Sequence, residues 1–295
     1  MVEARKLKAE APVQVRDLIW AVNSPSLLTG GPEIAGAESS YVAIQHLDAA
    51  QVDSNHLTAF LAETPGYRVG RYFERLILYW LKYIRRVEIV ADSLQIHDGN
   101  LTVGEIDLLF RDEQQRLTHW EIAVKFYLHY PHNCVIDSHY IGPNAADTFE
   151  RKMERLFEHQ LPRSDALFPD VEIRQAFVKG RIFYHPNQRS AKKLPPRLSP
   201  DHMHCDWIRS SQLDLLSIGR RVSYRILRKP FWLSEDVAHT SGGDLFSPQD
   251  MIKRLKTRFA ADHRPVLISQ LEADGAGLLE SNRVFVVPDR WPERR

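Results

Sequence analysis

Gly104-Glu105-Ile106-Asp107-Leu108-Leu109-Phe110 and His119-Trp120-Glu121-Ile122-Ala123-Val124-Lys125-Phe126 are two apolar runs of strand length, and each carries acids that a buried strand does not need. The link Asp112-Glu113-Gln114-Gln115-Arg116 is short and polar, which predicts a hairpin. A turn centred near Gln114 pairs residues whose numbers sum to about 228, so Asp107 lies opposite Glu121 with Cβ atoms roughly 5 Å apart. Alternation puts Glu105 beside Asp107 on that face, and Ala123 and Lys125 beside Glu121. Like charges placed opposite each other destabilise a sheet, and a buried unpaired carboxylate costs several kcal/mol or takes up a proton. Two remedies stay open: a hard divalent cation such as Mg²⁺ or Mn²⁺, or water and nearby Arg and Lys on a solvated hairpin.

Outward from the hairpin, the strongest helix signal is Tyr67–Arg85, where Val69, Phe73, Leu76, Ile77, Trp80, Leu81 and Ile84 follow helical spacing, with Glu74 near the apolar face. Strands are expected near Val87–Ile96, Val103–Phe110 and Thr118–Tyr127, with a turn at Asp98-Gly99-Asn100. A second helix, Ala146–Leu161, and a strand, Arg174–Tyr184, follow. The order is α-β-β-β-α-β. N-terminal to it, helices are expected near Val15–Val22, Tyr41–Ala50 and His56–Glu63. C-terminal to it come a basic loop at Ala191–Pro200, strands near Val222–Leu227 and Phe231–Leu233, a helix at Pro248–Ala260, and a hairpin of Val266–Leu271 with Arg283–Val287. This divides the chain into an N-terminal helical extension (1–65), a core (66–190) and a C-terminal α+β extension packed on it (191–295).

The chain has 295 residues, with 43% hydrophobic and 26% charged side chains, and material for a large core. Its longest apolar run, near Leu76–Ile84, is too short to span a bilayer, so no membrane association is expected. The first ten residues lack the apolar segment of a secretory signal, and Cys134 and Cys205 are the only cysteines, so a cytoplasmic protein without a disulfide framework is expected. The formal net charge of +1 is unevenly spread: residues 1–150 hold 13 basic and 20 acidic side chains, and residues 151–230 hold 17 and 8. A basic middle beside an acidic site suits a polyanion approaching carboxylates, as well as an ordinary basic surface.

The element order and the acids together resemble the PD-(D/E)XK nuclease superfamily, over roughly residues 66–185. That resemblance implies an α/β (α+β) nuclease-like core, a central mixed sheet flanked by helices. It places the helix acid at Glu74 in Gly70-Arg71-Tyr72-Phe73-Glu74, the metal-ligand aspartate at Asp107 and the third-strand acid at Glu121. The whole chain also resembles the bacterial family known as domain of unknown function 1853. The motifs are Val15-Arg16-Asp17-Leu18-Ile19-Trp20, Gly142-Pro143-Asn144-Ala145, Lys152 to His159-Gln160-Leu161, and Val178-Lys179-Gly180-Arg181-Ile182-Phe183-Tyr184. The superfamily's lysine would stand two residues after Glu121, where this chain has Ala123. Lys125 is one repeat further along, its Cα roughly 13 Å from that of Glu121 instead of about 7 Å. Lys152 on the following helix is the other candidate.

The function these resemblances imply is hydrolysis of DNA or RNA phosphodiester bonds by a metal-activated water, with nucleic acid as the partner. Asp107 and Glu121 would hold Mg²⁺ (or Mn²⁺), Glu74 would complete the shell directly or through water, and Lys125 or Lys152 would neutralise charge at phosphorus. The alternative is a catalytically inactive protein of the same fold that binds nucleic acid or a protein partner. Glu105 is expected to pair with Lys125 or to be a solvated rim acid, with a catalytic part as a third option. Gln160 is a candidate backbone contact or a helix cap. Asp201-His202-Met203-His204-Cys205-Asp206 has zinc-ligand types without a complete tetrahedral set. Gly242-Gly243-Asp244 reads as a turn, and His129, His132 and His139 as surface residues of a loop.

Overall fold

The computed structural model describes residues 11–36, 40–42, 44–66, 68–99, 101–131, 139–188, 193–216, 222–238, 244–274 and 277–293. The first ten residues, Tyr67, Asn100, His132, Cys134, Ala191, Lys192 and Gly242-Gly243 therefore lie outside the described residues. Strand β3 (Leu117–His129) is the organising element, buried along nearly its whole length, with only Ala123 and Lys125 partly open. Strands β1 (Glu88–Asp98) and β2 (Leu101–Arg111) form an antiparallel meander into it, and β4 (Tyr140–Ile141) pairs with its end. On its other side β5 (Ile173–Tyr184) runs parallel to β3, since a helical crossover returns the chain to the same end. The order α-β-β-β-α-β holds, with the small β4 inserted after β3.

The sheet does not stop at β5. Strand β6 (Met203–Arg209) adds in parallel, followed by β10 (Gly277–Val287), β9 (Val266–Asp274) and β7 (Val222–Ile226), with β8 (Val237–Ala238) on β10, giving one mixed sheet of ten strands. Strand β6 was not expected from sequence. Its residues Met-His-Cys-Asp-Trp-Ile-Arg read as a ligand cluster, yet they complete a parallel ladder between β5 and β10.

Helices cover both faces. Helix α1 is Val13–Asn23, α2 is Ser54–Ala62 and α3 is Val69–Tyr79. Helix α3 buries Phe73, Leu76 and Ile77, and Trp80 just beyond it stacks on Trp120 of β3, whose ring stacks on Phe177 of β5. Each such side chain removed from water stabilises the fold by about 2–3 kcal/mol. The predicted helix Tyr67–Arg85 is a true α-helix only to Tyr79. It then widens into a π-helical segment, Trp80–Arg85, that ends where Arg86 turns left-handed (φ 56°). The second predicted helix behaves alike: α4 (Phe149–Glu154) continues as a π-helical segment Arg155–Gln160, and short α5 (Arg163–Leu167) follows. Helix α6 (Pro248–Ala261) packs on the C-terminal strands through Met251, Leu255 and Phe259.

Two expected elements are absent from the described residues. Of the helix expected at Tyr41–Ala50, only a 3₁₀ turn at Ala49–Gln51 forms. The Asn23 side chain captures both backbone groups of Leu47 (2.9 and 2.8 Å), an alternative to helical pairing. Phe231–Leu233 is a turn rather than a strand: Phe231 N–H and Trp232 N–H close onto Arg228 O and Pro230 O. Buried Asp17 of α1 joins distant parts of the chain. It accepts from Tyr72 of α3 and from both the N–H and the hydroxyl of Ser234 (3.0, 2.8 and 2.7 Å). No helix among the described residues is long and apolar enough to cross a membrane.

Candidate functional site

The hairpin register follows the expected sum: Leu108 faces Trp120, Leu109 faces His119 and Phe110 faces Thr118. The β2–β3 ladder runs no further than Leu108–Trp120. At the next position the Asp107 carboxylate accepts the N–H of Ile122 (2.8 Å), so a side chain takes the place of a ladder carbonyl and the strands fork there. Glu121, fully buried beside the fork, has both oxygens engaged. Its Oε1 accepts from His119 Nε2 (3.1 Å) and its Oε2 from Gln160 Nε2 (2.5 Å).

Around this pair the structure assembles a chain of polar contacts. Lys152 Nζ of α4 donates to Gln160 Oε1 (2.6 Å), and Gln160 passes the contact to Glu121. On the far side, His119 Nδ1 meets Ser164 Oγ (3.0 Å), which also accepts from Arg174 Nε (2.9 Å). A carboxylate only accepts, so the network assigns the proton of His119 to Nε2 and leaves Nδ1 to the serine hydroxyl. The π-helical segment ends at Gln160, and π-turns recur where a helix must present a side chain out of α-helical phase.

The electrostatics show which acids share the site. Burial, then the charge of Glu121, pushes the Asp107 carboxyl up to about 8, with Glu74 adding to the effect and Lys152 opposing it. Burial also raises Glu74, against its ion pair with Arg71 (3.2 Å), and the charges of Glu105 and Glu121 raise it further. Lys152 is lowered by burial and by nearby Lys125, while Glu121 and Asp107 pull it back up. Glu74, Asp107 and Glu121 thus share one field, with Lys152 close to Asp107 and Glu121 and Glu105 acting on Glu74. Lys125 is turned elsewhere: its ammonium pairs with Asp147 (3.3 Å), which Tyr127 also contacts (3.4 Å). The expected Glu105–Lys125 pair does not form among the described contacts, because Asp147, on the loop after β4, occupies Lys125.

A divalent cation can be tested against these residues. Two coupled carboxylates, one of them holding a proton well above the normal range, are a donor set that a hard cation would relieve, and Mg²⁺ completes its shell with water. Among the described residues no group of three or more His, Cys, Asp or Glu is arranged to enclose a metal ion. The fit is therefore to Asp107 and Glu121 as a pair, with Glu74 held off by Arg71.

The other sequence candidates separate. His129 is buried, its ring against Tyr140 and Tyr184, which corrects its expected surface place, whereas His139 is exposed. His202 and His204 stack on each other (4.4 Å), and His202 is bonded to Tyr184 and Ser199, so they pack rather than form a zinc set. Sequence reading missed His119, Ser164, Arg174 and Arg163. His119 carried a signal, a polar residue two positions from Glu121 in a buried strand. Arg163 lies over Gly104, where an added Cβ would come within 2.6 Å of its guanidinium.

A model of the family described as Domain of unknown function (DUF1853) matches residues 16–287. Neither the comparison with curated proteins nor that with solved structures found a match.

Proposed function

The chain belongs to the DUF1853 family, whose description names no activity, and from the fork we propose a metal-dependent nuclease that hydrolyses phosphodiester bonds of DNA or RNA. The observation that carries this reading is the meeting of Asp107 and Glu121 at the point where β2 leaves β3, with Lys152 in the field of both. A structural role alone gives little reason to set a buried and a half-buried acid together there. The order α-β-β-β-α-β, with β5 parallel to β3 and Glu74 delivered from α3, supports a PD-(D/E)XK nuclease core.

Asp107 and Glu121 would hold Mg²⁺ or Mn²⁺, and Glu74 would join them on leaving Arg71. A bound divalent cation would supply a more acidic water and polarise a phosphoryl oxygen. Lys152, anchored by Gln160, brings positive charge to the negative charge that grows on phosphorus as a nucleophile attacks in line. His119 and Gln160 fix the Glu121 carboxylate from both sides, so it is oriented before substrate arrives. In this arrangement Lys152 takes the part that the resemblance first offers to Lys125, which Asp147 engages.

One observation favours a second reading. Both Glu121 oxygens are already satisfied within the protein, which suits a catalytically silent protein of this fold that binds nucleic acid or a partner. Cleavage of labelled single- and double-stranded DNA and RNA with Mg²⁺ or Mn²⁺, beside Asp107→Asn and Glu121→Gln, decides between the two. Cutting lost in both variants supports the nuclease; no cutting by the unaltered protein with either metal removes it.

A further inference from the structure

A cavity of about 1130 Å³ shares no lining residue with the carboxylate fork. Its walls carry Arg228, Lys229, Lys253, Arg254, Arg258 and Arg264, against two lining acids, Asp244 and Asp250. Trp232 and Phe246 add aromatic surface. Some of this charge is spoken for: Arg228 reaches Asp244 (3.9 Å), and Arg258 and Arg264 share Asp262 (3.8 and 2.8 Å). Lys229, Lys253 and Arg254 are exposed, and among the described residues none has a carboxylate within ion-pair distance. Two of these cations are poised over rings instead, Lys229 at 4.8 Å from Trp232 and Arg254 at 4.9 Å from Phe246.

We propose that this groove binds a single strand of nucleic acid, independently of the carboxylate fork. Unpaired cations take phosphates, and the partly exposed rings beside them give bases aromatic surface without regard to sequence, the combination that single-strand grooves use. The volume exceeds what one small ligand needs and suits a few linked nucleotides. Pro143 and Asn144 form part of the wall, and Asp147 of the same loop holds Lys125, so one loop borders both the groove and β3. The proposal shares with the nuclease reading only the choice of nucleic acid as ligand, and it requires no cleavage.

The test is fluorescence anisotropy of short labelled oligothymidylate and oligouridylate with the full chain in EDTA, over a range of salt concentrations. Three phosphate contacts give a slope of log affinity against log salt of about −2. Lys253→Glu with Arg254→Glu should weaken binding at least about tenfold and flatten the slope, whereas Lys82→Glu, exposed and outside the groove, should leave both unchanged. If the reversal pair lowers the unfolding temperature, Lys229→Gln with Lys253→Gln carries the same expectation. Strand binding that survives these changes overturns the proposal. So does equal competition by polyphosphate, which would make the groove a bare anion site. Because no metal is present, these outcomes are independent of whether the fork cleaves.

Discussion

In the fork between β2 and β3 four charged groups have an assigned partner: Asp107 takes Ile122 N–H, Glu121 takes His119 and Gln160, Lys152 takes Gln160, and Glu74 takes Arg71. In the groove beside α6, by contrast, Lys229, Lys253 and Arg254 face solvent with no carboxylate in ion-pair reach among the described residues. The fork is a preorganised site whose like charges are held together, against the cost of burial, by hydrogen bonds from Ile122, His119, Gln160 and Arg71. The groove is an adaptable one whose like charges are kept apart by water. Chemistry needs the first arrangement and strand capture the second.

The comparison is broken most sharply at the acids. Asp107→Asn or Glu121→Gln should lower metal-dependent cleavage by about 10³-fold while leaving strand binding in EDTA intact, as followed by initial rates and anisotropy. A loss of binding in step with cleavage would merge the two regions into one site. The lysines come next. Lys152→Met should cost about 10²-fold in rate, and Lys125→Met much less, since Lys152 stands in the field of both acids while Lys125 is paired with Asp147. The reverse order would return the role to Lys125.

A backbone change sharpens the view of the fork as rigid. At Gly180 an added Cβ would lie 2.0 Å from the carbonyl oxygen of Lys125, because β3 and β5 run side by side there. Gly180→Ala should therefore destabilise the protein by about 2–3 kcal/mol, read as a lower denaturant midpoint, with little effect on the groove. A further effect concerns pH. Asp107 is raised from the ordinary carboxylate range to about 8, so its protonated form is favoured in the fold. The stability it contributes is full below about pH 4 and is lost as pH rises through about 8. Without divalent cations the melting temperature should fall across that window, and Asp107→Asn should flatten the fall. Mg²⁺ should release a proton on binding and bind more tightly as pH approaches 8.

The hairpin register was legible in the sequence because hairpin geometry is local, whereas the end of the ladder before Asp107 and Glu121 was not. A short polar link and a two-residue period are enough to bring Asp107 and Glu121 together, and the register agrees at Leu108–Trp120. Glu74 came from the family resemblance, and helical spacing put it near the apolar face of its helix. The choice between Lys125 and Lys152 was not legible, since it depends on Asp147 twenty-two residues away along the chain folding back onto Lys125. The groove stayed hidden for another reason. Counting charge by segment makes residues 231–295 nearly neutral, with 9 basic and 10 acidic side chains, yet Lys253, Arg254 and Arg258 are grouped on one side of α6. Strand β6 was masked by its polar residues, because a parallel strand takes its partners from tertiary structure.

The continuity of the sheet through β5 limits how the molecule can be divided in the laboratory. A recombinant fragment ending near residue 190 would strip Arg181–Tyr184 of their partners in β6 and deprive Asp17 of two of its three hydrogen bonds. What remained would have a raw, apolar strand edge open to other chains and an acid stranded under α1. Such a fragment should aggregate, so any shortened piece has to keep β6 and Ser234.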